Sequence, residues 1–71
     1  MAKRVLIDID LAVLRAHLSK EEGHSVSEDE IRKWLVDAGF EAYRGLWIVD
    51  EADLGQLDPS EVKSIEDAPE N

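Results

Sequence analysis

The chain has 71 residues, of which 17 are acidic and 8 are basic, so its formal net charge at neutral pH is −9. A chain of this length forms at most one domain, near the lower limit at which a single hydrophobic core holds a fold together. The absence of cysteine excludes disulfides and thiolate metal sites, and it favours a reducing compartment, so the expected location is the cytoplasm.

The first predicted element is a strand, because apolar residues near the N-terminus recur with a period of two. Its apolar members are Val5, Ile7 and Ile9. Acidic residues at 8 and 10 interrupt the apolar stretch, so we interpret it as a strand and not as a secretory signal peptide. The spacing then becomes helical, which predicts a helix with Asp10 as its N-cap that runs to about Glu22 and stops at Gly23.

The second helix has the clearest boundary residues. Ser27 is a candidate N-cap and Glu30 lies three residues later, which is the spacing of a capping box. Val26 and Ile31 are spaced as a hydrophobic staple across that cap. An apolar stripe follows, and Gly39 is predicted to end the helix.

A β-hairpin is predicted over residues 40–49, with its turn at Arg44 and Gly45. Pairing Tyr43 with Leu46 separates the hairpin side chains into two faces. The face expected to cover the core holds Phe40, Ala42, Trp47 and Val49. The opposite face holds Glu41, Tyr43, Leu46 and Ile48.

The C-terminal part is predicted to contain a short helix and a tail. Asp58 as N-cap, Pro59 at the first helical position and Glu61 three residues after the cap form a helix start. Val62 and Ile65 would form the apolar stripe of that helix. Residues 1–66 are therefore predicted to be a single compact domain, and residues 67–71 an acidic flexible tail.

These elements predict a small α+β domain with the order β-α-α-β-β-(α), in which a three-stranded antiparallel sheet packs on two helices. The helix-then-hairpin part, about residues 27–49, resembles the recognition helix and wing of winged-helix DNA-binding domains. The resemblance implies DNA contacts by Arg32 and Lys33 on the helix and by Arg44 at the wing tip. The chain departs from the winged-helix pattern because its strand precedes both helices, and its acidic charge opposes phosphate binding.

No cofactor, metal site or catalytic centre is predicted. His17 and His24 lie seven residues apart with a glycine between them, which is not the spacing of a helical zinc-binding pair. The acidic stretch that begins at Asp50 has Ala52 and Leu54 where an EF-hand loop needs oxygen ligands. We therefore expect that the chain is not an enzyme.

Binding functions remain. Residues 45–71 hold eight acidic residues with Lys63 as the sole basic one, a charge that attracts basic partners and repels nucleic acid and anionic membranes. If nothing covers Tyr43, Leu46 and Ile48, they form an apolar patch that would bind a protein partner or a second copy of the chain. The competing expectation is that the predicted C-terminal helix covers this patch.

The sequence thus favours a non-catalytic interaction or regulatory module that binds a protein partner or itself through that hairpin face. Two alternatives stay open at this point. One is a winged-helix-like DNA-binding transcriptional regulator. The other is an acidic DNA mimic or inhibitor, which would present its carboxylates at phosphate-like spacing.

Overall fold

The computed structural model describes residues 3–69. Its elements in chain order are β1 (Arg4–Ile9), α1 (Leu11–Glu22), α2 (Glu28–Asp37), β2 (Glu41–Tyr43), β3 (Leu46–Asp50), two 3₁₀ helices (Glu51–Gln56 and Pro59–Glu61) and β4 (Val62–Asp67). The strands form one antiparallel sheet in the order β2-β3-β1-β4. The predicted α+β class is confirmed, and the sheet has four strands where three were expected.

The two α-helices pack on one face of the sheet, which we name the inner face. The core between them contains Val5, Ile7, Ile9, Leu14, Val26, Ile31, Leu35, Phe40, Trp47, Val49 and Leu57. Ile7 of the central strand β1 and Leu35 of α2 are completely buried. Ala42, expected in the core, is exposed because it lies on the short edge strand β2.

The predicted helix boundaries are confirmed within a residue or two. Asp10 caps α1 through a hydrogen bond that its carboxylate accepts from the Val13 N–H at 3.2 Å, and Gly23 follows with a left-handed φ of 76°. Ser27 caps α2 by accepting a hydrogen bond from the Glu30 N–H at 3.2 Å. The Glu30 carboxylate accepts a hydrogen bond from the Ser27 hydroxyl at 3.3 Å. The second contact of the predicted capping box therefore joins two side chains.

The hairpin forms in the predicted register, with Tyr43 opposite Leu46 and Ala42 opposite Trp47. Arg44 and Gly45 form the two-residue turn with φ values of 48° and 83°. Positive φ at both central residues is the type I′ geometry, whose twist matches that of the flanking strands. Arg44 is therefore a non-glycine residue in a left-handed conformation.

The predicted C-terminal helix is wrong, because Val62–Asp67 form the strand β4. The capping residues act as expected over Pro59–Glu61, where the Asp58 carboxylate accepts from the Ser60 N–H and the Glu61 carboxylate from the Asp58 N–H. The helix ends after one turn, since the Glu61 carbonyl accepts a hydrogen bond from the Asp10 N–H at 2.7 Å. That bond directs the chain alongside β1.

A β-bulge explains why this strand has helical spacing in the sequence. Ile9 is opposite Val62 and Ile7 is opposite Ile65, so three residues of β1 face four of β4, with the irregularity near Lys63. The extra residue in a bulge lets positions three apart share one side of a sheet. The spacing of Val62 and Ile65 therefore suits a bulged strand as well as a helix.

The last predicted boundary also differs from the structure. Asp67, expected in the tail, is the final residue of β4, and the Ala68 N–H donates to the Arg4 carbonyl at 3.3 Å. Residues 70 and 71 of the predicted tail lie outside the described residues. Within residues 3–69, neither α-helix is long and apolar enough to cross a membrane.

Candidate protein-binding face

The side of the sheet opposite the helices, named here the outer face, carries the hairpin residues selected from the sequence. The strand register places Ile48 between Glu41 of β2 and Leu6 of β1, and Tyr43 opposite Leu46 in the next row. Leu6, Tyr43 and Leu46 are half-buried. The outer face therefore carries an apolar strip across three strands.

The C-terminal segment does not cover this strip in the way that was expected. β4 extends the sheet beyond β1, and Val62 and Ile65 lie opposite the inner-face residues Ile9 and Ile7. Neither side chain therefore reaches Tyr43 or Leu46.

An ion pair shields Ile48 instead. The Arg4 guanidinium donates to the Glu41 carboxylate at 2.8 Å, and these residues lie on the two strands that flank β3. The pair therefore spans β3 on the side where Ile48 lies, and Ile48 is only 7% exposed. Since the side chains of Arg4 and Glu41 are 53% and 69% exposed, the pair contributes little stability and is readily exchanged for other contacts.

A cavity of about 510 Å³ opens beside this ion pair. Its lining residues are Lys3, Arg4, Glu41, Tyr43, Ile48, Asp67, Ala68 and Pro69. A second ion pair joins Lys3 Nζ to Asp67 Oδ1 at 2.8 Å, and the hydrogen bond to that carboxylate raises the pKa of Lys3. The cavity thus has an apolar wall at Tyr43 and Ile48 and charged rims.

The charge of the outer face is predominantly acidic. The four strands contribute to it the carboxylates of Asp8, Glu41, Asp50 and Glu66 and the guanidinium of Arg4. Carboxylates gathered on one surface produce a negative potential that attracts cations and basic proteins. The outer face can therefore contact an apolar side chain of another molecule beside Ile48, and the carboxylates around it can interact with positive charges of that molecule.

The residues considered for DNA binding lie on α2 and in the hairpin turn. Arg32 donates to Glu28 at 2.9 Å within α2, and Lys33 is exposed on the same helix. The Arg44 guanidinium lies 5.6 Å from the centroid of the Tyr43 ring, which is cation–π distance. To bind a DNA phosphate, Arg32 would have to give up its contact with Glu28, and Arg44 its contact with the Tyr43 ring.

Both histidines make hydrogen-bonding contacts within the fold, one across distant segments and one with a neighbouring residue. His17 Nδ1 lies 2.6 Å from Glu61 Oε2, and His24 Nδ1 lies 3.1 Å from the Ser25 carbonyl oxygen. Among residues 3–69, no group of three or more histidine, cysteine or acidic side chains is arranged to hold a metal ion.

Sequence reasoning missed two contributors to the outer face. Leu6 lies two residues before Asp8 in β1, so the two side chains are on the same side of the strand. That side is the outer face. Arg4 reaches Glu41 across 37 positions of sequence, and no local pattern indicates that contact.

Comparison of the chain with protein-family models, curated proteins and solved structures finds no match. The chemistry of the outer face is therefore the basis for inferring a function.

Proposed function

We propose that the protein is a non-catalytic, cytoplasmic binding module whose outer face binds a basic partner protein. The observation that carries the proposal is the apolar strip of Leu6, Tyr43, Leu46 and Ile48 on a sheet face that the helices leave uncovered. Apolar and aromatic side chains surrounded by charged ones are the usual composition of protein-binding surfaces.

The charge of the outer face supports a basic partner over a second copy of the chain. Two outer faces placed against each other would bring the carboxylates of Asp8, Glu41 and Glu66 close to the same groups on the second copy. Like charges across an interface oppose association, whereas complementary charges accelerate it and select the partner. A partner with lysine or arginine around an apolar side chain fits this face.

The Arg4–Glu41 ion pair is the contact that such a partner would change. A basic side chain of the partner can take the place of Arg4 beside Glu41, which uncovers Ile48 for an apolar contact. The exchange preserves one ion pair for Glu41, so its net free-energy change is small. Burial of the half-buried side chains of Leu6, Tyr43 and Leu46 against the partner then supplies the favourable free energy.

Site-specific photo-crosslinking tests the proposal. p-Benzoylphenylalanine in place of Tyr43 keeps an aromatic side chain on the outer face, and the same amino acid in place of Val36, an exposed apolar residue of α2, is the matched control. In the cells that naturally produce the chain, we expect irradiation to join position 43 to a distinct basic protein and position 36 to none. Mass spectrometry of the adduct identifies that protein.

Three outcomes would contradict the proposal. The first is the absence of an adduct at position 43, and the second is the same adduct at both positions. The third is an adduct at position 43 that consists only of two copies of the chain, because that result assigns the outer face to self-association.

A further inference from the structure

β4 is an edge strand with an unused row of backbone hydrogen-bonding groups. Among residues 3–69 its one neighbour in the sheet is β1, and the Ala68 N–H points toward that strand, where it donates to the Arg4 carbonyl. Because backbone direction alternates along an antiparallel ladder, Glu66 and Ser64 also turn toward β1, whereas Ile65 and Asp67 direct their N–H and C=O groups away from it. Such a row is a template for a further strand.

An apolar groove borders the same edge. Ile65 is 57% exposed and lies beside a groove of about 450 Å³. The groove is lined by Leu54, Leu57, Pro59, Val62, Lys63, Ser64 and Ile65. A strand added to β4 would therefore find unpaired backbone groups and apolar surface together.

We propose that β4 pairs with β4 of a second copy of the chain, antiparallel, around a twofold axis perpendicular to the sheet. Rotation about such an axis keeps the inner faces of both copies on one side and the outer faces on the other. Each residue therefore lies opposite a residue of the second copy whose number differs from its own by an even number. Centring the axis on Ile65 places this residue opposite Ile65 of the second copy. Lys63, the residue at the bulge, then lies nearest the second copy's Asp67, and Asp67 lies nearest its Lys63.

Charge complementarity identifies a second copy as the occupant. Lys63 is the sole basic residue among residues 45–71, and this register places it beside Asp67 on both sides of the axis, where Asp67 also pairs with Lys3 of its own copy at 2.8 Å. Opposite charges directly across two strands stabilise their pairing, and like charges oppose it. Shifting the register by two residues in one direction would place Lys63 opposite Ile65, and in the other direction Asp67 opposite Ile65, so neither shift pairs Lys63 with Asp67. The charged residues of β4, which disfavour pairing with other strands, are thus complementary to those of a second β4 in one register.

The dimer would have a continuous eight-stranded sheet, with four strands from each copy. The two Ile65 side chains would meet at the axis between the two apolar grooves. Because the axis is perpendicular to the sheet, both outer faces would point in the same direction. This interface uses an edge separate from the outer face, so the proposal goes beyond the binding function and does not depend on it.

Sedimentation equilibrium of the full chain across the micromolar range, with charge-exchange variants, tests the pairing. We expect the wild type to form a dimer. Lys63→Asp and Asp67→Lys each place two pairs of like charges across the interface, so each should raise the dimer Kd by about tenfold or more. The double variant, Lys63→Asp with Asp67→Lys, reverses both pairs across the interface and should return the Kd to within about threefold of the wild-type value. The Lys3–Asp67 ion pair that it also removes joins side chains that are 57% and 81% exposed, so its loss has little effect.

Lys33→Asp makes the same charge change on α2 and should leave the dimer Kd unaltered, while circular dichroism confirms that every variant is folded. A wild type that stays monomeric across the range would overturn the proposal. So would a double variant that dimerises as weakly as the single ones, since that result removes the assigned register. A loss of dimer in Lys33→Asp equal to that in Lys63→Asp would show a general effect of charge and also overturn it.

Discussion

Replacing Glu61 with alanine is expected to lower the free energy of unfolding by about 2–3 kcal/mol. Glu61 is the one charged residue buried among residues 3–69, with 5% of its surface exposed. Its two carboxylate oxygens accept hydrogen bonds from different parts of the chain. Oε1 accepts from the Asp58 N–H at 2.6 Å, and Oε2 lies 2.6 Å from Nδ1 of His17.

The size of this effect follows from what the alanine leaves behind. The Asp58 N–H loses its carboxylate acceptor, and a hydrogen bond to a charged group contributes about 1.5–3 kcal/mol to stability. The link between α1 and the second 3₁₀ helix through His17 is lost as well. A chain of 71 residues has a total stability of roughly 4–10 kcal/mol, so this one substitution removes a large part of it.

Urea denaturation at neutral pH measures the change, and Glu66→Ala is the matched control. Glu66 is an exposed carboxylate on β4, so its removal changes the net charge equally and should alter the free energy of unfolding by no more than about 0.5 kcal/mol. Equal stability of the two variants would show that the Glu61 carboxylate does not hold these segments together.

Gly45→Ala is expected to lower the free energy of unfolding by about 1–2 kcal/mol. Gly45 has a φ of 83° in the hairpin turn, and a Cβ added there meets no other atom within 4 Å. The loss therefore arises from backbone strain and not from a collision. Since the turn sets the pairing of Tyr43 with Leu46, the substitution strains the hairpin that carries the outer face.

Gly55→Ala separates strain from the general effect of adding a methyl group. Gly55 also has open space around the added Cβ, but its φ lies outside the left-handed region. Its replacement reduces the freedom of the unfolded chain, so stability should stay the same or rise by up to about 1 kcal/mol. Equal urea midpoints for the two alanine variants would contradict the strained turn.

Local chemistry was sufficient to predict much of the fold. The caps at Asp10 and Ser27, the stop at Gly23 and the turn at Arg44 and Gly45 all act within a few residues of where they occur in the sequence. These signals depend on backbone groups that must be satisfied by neighbours, so their spacing is visible without tertiary structure. The hairpin register followed from the same local pattern.

The C-terminal segment could not be predicted because a partner strand decides its conformation. Val62 and Ile65 suit one stripe of a helix, and they equally suit the inner side of a bulged strand. Pairing with β1 selects the strand, and β1 lies more than fifty positions earlier in the chain. Tertiary context of this kind routinely overrides local preference.

The candidate site also has a part that the sequence predicts and a part that it does not. Alternation within the hairpin placed Tyr43, Leu46 and Ile48 on one face, which the register of β2 and β3 shows. The shielding of Ile48 by Arg4 and Glu41, and the burial of Glu61 beside His17, join residues 37 and 44 positions apart. Ion pairs between distant segments leave no periodic signal in a sequence with so many charged residues.

The affinity of the partner identified by crosslinking at position 43 tests the central claim most directly. Isothermal titration would compare the wild type with Tyr43→Ser and with Val36→Ser, which removes an exposed apolar side chain from α2. If the outer face is the binding surface, Tyr43→Ser weakens binding by about tenfold or more, because aromatic residues dominate such interfaces, and Val36→Ser binds like the wild type. Unchanged affinity in Tyr43→Ser, or an equal loss in Val36→Ser, would contradict the assignment of the outer face as the binding surface.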